Sequence, residues 1–153
     1  MITYNNIITL FNNIAVAHKQ LKDFGTGESW EVEGHIKPGI IYPLLWVIPI
    51  SSQTTSNTQE RTFTLLVMGQ VKKDKSDEQE ILSDCELILN DVIKIFRNES
   101  DNYDLIGEPI LFPFKEDFGD WITGWRADVQ IQTDLNNNYC DIPKLSFQSP
   151  NNL

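Results

Sequence analysis

The chain has 153 residues, 41% hydrophobic and 10% aromatic, and its 22 acidic against 12 basic side chains leave a net charge of −10. That length fits one compact domain able to bury about 70% of its unfolded surface, and the composition excludes an intrinsically disordered chain. The acidic balance excludes nucleic-acid binding that works by neutralising phosphates with lysine and arginine, and it repels anionic lipid equally.

The opening helix is predicted from Ile7, Leu10, Phe11, Ile14, Ala17, His18 and Leu21, which recur at spacings of three and four. Its end is expected near residues 24–27, where Gly25 and Gly27 offer the backbone freedom favoured past a helix terminus. Residues 30–36 alternate Trp30, Val32 and Gly34 with Glu31, Glu33 and His35, a short strand pattern. Residues 42–49 form an apolar strand bracketed by Pro43 and Pro49, since proline cannot donate to a ladder and sits at strand ends or edges.

Residues 51–59 hold only Ser, Thr, Gln and Asn, so an exposed, mobile loop carrying Thr54 and Thr55 is expected between two strands. A strand over 61–71 follows, with Phe63, Leu65, Val67 and Val71 on one face. The second helix is predicted to start in a capping box, Ser76 with Gln79, with Asp77, Glu78 and Glu80 in the first turn and Lys94 and Arg97 at its far end. Its apolar stripe runs through Ile81, Cys85, Ile88, Val92 and Phe96.

After a polar link over 98–104 come strands at 109–114 and 125–133, the second alternating Trp125, Ala127, Val129 and Ile131 with polar partners. Between them residues 115–124 read as a loop. The expected architecture is α+β: an antiparallel sheet of four to five strands with two amphipathic helices on one face, in the order α-β-β-β-α-β-β. This domain covers residues 1–142, and residues 143–153 form an extended arm.

The chemistry-bearing residues do not converge. His18 and His35 share no metal-ligand spacing, and neither Cys85 nor Cys140 has a neighbouring histidine. The two cysteines lie far apart outside any CxxC, so both are expected as free thiols of a protein made in a reducing cytoplasm. No apolar signal opens the chain, and residues 40–50, its longest apolar run, fall short of the roughly 20 residues of a membrane span. Asp74, Asp77, Glu78 and Glu80 lack the ligand alternation and central glycine of a calcium loop. Glu116, Asp117 and Asp120 would be an acid–base group only if folded together, and a solvated acidic loop is the simpler reading. No catalytic residue, cofactor or metal ligand is assigned.

Apolar groups in unexpected places stand out instead. Phe112, Phe114, Phe118, Trp121 and Ile122 occupy or flank a loop, and Leu145 and Phe147 ride on the arm. Two readings are open for the loop: protein contact, or folding back to close the core; for the arm, contact is expected.

The order of elements, the phrases "YPLLWVIP" and "RTFTLLVMGQV", the helix "SDEQEILSDCELILNDVIKIF", and "GWRADVQIQT" running into "CDIP" together resemble bacteriophage tail-terminator, tail-completion and head–tail connector proteins. The resemblance covers most of residues 5–143 and contains no catalytic motif. It implies a structural virion subunit made in the host cytoplasm, assembled as a six- or twelvefold homo-oligomeric ring in the tail or neck beside the portal or adjacent neck and tail proteins. DNA would pass through without specific binding, and long loops and terminal arms would reach neighbours. The alternative from the residues alone is a cytoplasmic α+β module holding a small ligand among Trp30, Trp46 and Trp125.

Overall fold

A computed structural model describes residues 2–28, 39–117, 121–135 and Pro143. The elements run α1 (Tyr4–Ala17), β1 (Asp23–Thr26), β2 (Leu44–Thr54), β3 (Thr58–Gln70), α2 (Glu78–Glu99), β4 (Tyr103–Ile106), β5 (Leu111–Asp117) and β6 (Trp121–Asp134). The molecule is α+β, with two helices packed against a six-stranded sheet of order β1-β2-β3-β6-β4, in which β5 also pairs with β6. The sheet is mixed: β1 runs parallel to β2, and every other pairing is antiparallel. The expected strand at 30–36 and the arm beyond Pro143 lie outside the described residues.

Alternation places the core. Leu45 and Val47 of β2, Phe63, Leu65 and Val67 of β3, and Ala127, Val129 and Ile131 of β6 are all buried on the helix side. Against them α1 buries Ile7, Phe11, Ile14 and Ala15, and α2 buries Cys85, Ile88, Leu89, Val92, Ile93 and Phe96. Phe11 stacks on Phe96 with ring centroids 4.4 Å apart, and Phe96 meets Tyr103 at 4.5 Å. The Tyr103 hydroxyl donates to the Phe96 carbonyl, which ties β4 to the last turns of α2.

The opposite sheet face is not simply wet. Leu44, Trp46, Ile48, Met68 and Ile122 form a second buried cluster there, joined by half-buried Ile40, Tyr42, Leu66 and Phe114. The unbroken apolar run 44–48 thus belongs to a strand covered on both faces, the pattern expected when neither side is solvated. At Gly124 an added Cβ would overlap the Val67 carbonyl oxygen, so glycine is what lets β6 lie this close to β3.

Four local expectations are corrected. Residues 51–59 are not a mobile loop: β2 and β3 continue as a hairpin with paired residues out to Thr54 and Gln59. Residues 115–117 and 121–124 likewise extend the β5–β6 hairpin and are not loop. Asp23–Thr26, expected as a helix exit, is strand β1, because α1 stops at Ala17 and the chain returns to pair with Leu44–Val47 of β2. The capping box sits on α1, not α2. Asn6 N–H donates to Thr3 Oγ1 at 3.2 Å and Thr3 N–H to Asn6 Oδ1 at 2.9 Å, whereas the N-cap of α2 is Asp77, whose carboxylate is occupied by the Lys72 N–H at 2.9 Å.

Candidate assembly interface

The margin of the sheet beyond β6 is a strand broken in two. Ile106 of β4 pairs with Gln130, and Leu111 of β5 with Ala127. Four residues, 107–110, therefore stand opposite only Asp128 and Val129, and the chain bulges. Gly107 makes this possible with φ +74°, a conformation other residues adopt at a cost. Pro109, which has no N–H, prevents the ladder from closing across the gap. Arg97 of α2 holds the bulge in place, donating from Nη2 to the Gly107 carbonyl at 2.9 Å and from Nη1 to Glu108 Oε1 at 3.2 Å.

The bulge throws apolar side chains outward. Leu105 and Leu111 turn toward the helix-side core, and their neighbours Ile106 and Phe112 turn away from it. Ile106 is 41% exposed, Ile110 68% and Phe112 50%. With Thr62, Asp128 and Gln130 these three line a groove of about 390 Å³. The Arg126 guanidinium lies 5.8 Å from the Phe112 ring centre. An exposed apolar group of this kind beside a polar rim is the usual composition of a contact surface.

The other sequence-predicted residues separate into three places. Phe114 and Ile122 fold back into the second cluster, and Ile122, at 3% exposure, is core and not surface. Trp121 stays on the rim, with Lys75 Nζ 4.5 Å from its ring centre. Beside it, Lys115 pairs with Glu78 of α2, and this partner holds the Glu78 carboxyl below the usual range. Thr54 and Thr55 stand at the tip of the β2–β3 hairpin, across the sheet from the groove. Phe118, Leu145 and Phe147 lie outside the described residues, as do Trp30, His35, Cys140 and Asp120.

The hairpin tip is tightly bonded. Thr55 N–H donates to the Thr58 carbonyl at 2.9 Å, the two threonine hydroxyls are 2.6 Å apart, and Leu135 N–H donates to the Asn57 carbonyl at 2.9 Å. Thr54 Oγ1 bonds Gln59 Oε1 at 2.9 Å, while Gln59 Nε2 donates to Ser52 Oγ at 2.6 Å. Beyond Val47, no described strand pairs with the outer side of β2. Ile50, the unpaired residue of the bulge between Pro49 and Ser51, is 56% exposed.

The chain matches no protein-family model and no curated protein. Among the described residues, no three His, Cys, Asp or Glu side chains are grouped to hold a metal, and no helix is long and apolar enough to cross a membrane. His18 is engaged elsewhere, its Nε2 lying 2.9 Å from Asp91 Oδ2 between the two helices. Trp46 and Trp125 face opposite sides of the sheet: Trp46 pairs with Leu66 on the second-cluster side, and Trp125 pairs with Val67 on the helix side. They therefore do not line one pocket. Sequence reasoning missed Ile50, Ile106 and Ile110. The signal available for the last two was an apolar pair on each side of Gly107-Glu108-Pro109, a strand interrupted by breakers.

Proposed function

We propose that this protein is a structural subunit of a bacteriophage virion, a ring-forming tail terminator or head–tail connector through which DNA passes. One observation carries the reading: among the described residues, the sheet has two margins that differ in kind. One is the outer side of β2 beyond Val47, in the β2–β3 hairpin, and the other is the broken β4/β5 edge with its apolar groove. A ring of identical subunits is built from head-to-tail contacts, which require two unlike surfaces on each copy. The acidic balance supports the same reading, because negative walls repel phosphate and let a duplex slide past without adhering. The subunit needs no catalytic group for this work.

Peptide mass spectrometry of gradient-purified particles from the phage that encodes the chain, with electron microscopy of particles labelled by antibody, tests the proposal. The expected result is a stoichiometric virion component located at the neck or the head-proximal end of the tail. Absence from intact particles would overturn it.

A further inference from the structure

We infer that the hairpin margin of one copy, at Ile50 and the strand that follows it, seats on the Ile106–Ile110–Phe112 groove of the next copy. The inference rests on the ring reading and names the surfaces through which the ring closes.

Charge decides which part of the surface another copy can approach. Each chain carries −10, so two copies repel over most of their surfaces. From Pro38 to Gln59, however, there is no charged side chain. Strand margins are usually protected against strangers by lysine, glutamate or proline, and in the outer half of β2 only Pro49 serves that purpose. The opposite margin is defended: Asp104, Glu108, Pro109 and Pro113 all lie along it. An acidic patch brought to this margin would meet Glu108 and Asp128. The outer half of β2 brings no carboxylate of its own, and of the charged residues opposite it on β3, Glu60 pairs with Gln53 and Arg61 with Ser52, Arg61 lying beside Ile50.

Shape and rigidity agree with charge. Ile50 is an exposed apolar group on the bulge of β2, and the groove is apolar with a polar rim. The hydroxyl and amide bonds that fasten residues 52–59 hold the hairpin in one conformation before contact, so little ordering remains to oppose association. Ile50 is on β2, whereas the groove runs from Thr62 of β3 across β6 to the β4/β5 margin, so the two surfaces are distinct and each copy offers one and receives the other.

The test is a pair of cysteines, Ile50→Cys with Ile110→Cys, in the full-length chain with Cys140→Ser; Cys85 is buried and does not interfere. Under mild oxidation the double variant should give a ladder of covalent dimers, trimers and higher species, and neither single variant should give any. In parallel, Ile50→Glu and Phe112→Glu should each weaken self-association on the order of tenfold or more while leaving the folded circular dichroism spectrum intact. Dimers from Ile50→Cys alone would mean a two-fold hairpin-on-hairpin contact and would overturn the inference. So would the lack of any ladder from the double variant, whether the protein is assembled or monomeric. The ring reading fails by a separate result, absence from particles.

Discussion

Two buried protons set how the fold answers to base. Cys85 is buried on α2, and desolvation, with the Asp84 charge adding to it, pushes its thiol from 9.0 up to about 12. Burial, with Glu99 contributing, likewise pushes the Tyr103 phenol from 10.0 up to about 12. An unfolded chain would surrender both protons before the folded one does. Over that window the unfolded state binds fewer protons, so stability falls as pH rises. Below about 9 neither group contributes a slope, and above it the stability they contribute is progressively lost toward about 12. Thermal unfolding followed by circular dichroism should therefore show a flat melting temperature through neutral pH and a decline once the thiol's ordinary range is reached. The double replacement Cys85→Ala and Tyr103→Phe should flatten that decline. An unchanged decline would place the alkaline sensitivity elsewhere. The same burial makes the thiol a poor nucleophile, since the thiolate is the reactive form.

At the level of elements, α2 provides the sharpest test because adjacent positions face opposite environments. Ile88 is fully buried against the sheet, while Leu87 is 59% exposed. Ile88→Asp places an unpaired charge in the core, a loss of about 3–5 kcal/mol or more out of a typical domain stability of about 5–15. Leu87→Asp should change stability by no more than about 0.5 kcal/mol. Soluble expression and chemical denaturation distinguish the two, and equal behaviour would mean the helix packs by another face. This stripe, like the alternation in β6, was legible in the sequence because apolar periodicity reports directly which side is buried. The hairpin tip was not, because its stability comes from backbone pairing and from bonds such as Thr55 to Thr58, and Ser, Thr and Gln alternate without contrast. Nor was the groove. Ile106 and Ile110 sit in different local settings, and only the bulge over Asp128 and Val129 brings them to one surface. The parallel pairing of β1 with β2 was hidden for a similar reason: Asp23–Thr26 is too short to show a period and contains a glycine.

For the whole molecule, the contact inferred between copies and the charge on each copy predict an unusual salt response. An interface held by ion pairs weakens as salt screens its attractions. Here the inferred contact joins β2, which has no charged side chain, to an apolar groove, and Arg61 beside Ile50 is the single positive group in the outer half of the hairpin, so salt removes little attraction of that kind. What salt does screen is the repulsion between chains that each carry −10. The Debye length falls from about 10 Å at ~0.1 M salt to about 3 Å at ~1 M. Self-association followed by sedimentation velocity should therefore strengthen with sodium chloride across this range, and the Ile50→Glu variant should show a steeper rise because it adds a repulsion for salt to screen. Weaker association at high salt would mean that opposite charges hold the copies together, and the uncharged strand β2 would then lose its claim to be the contact.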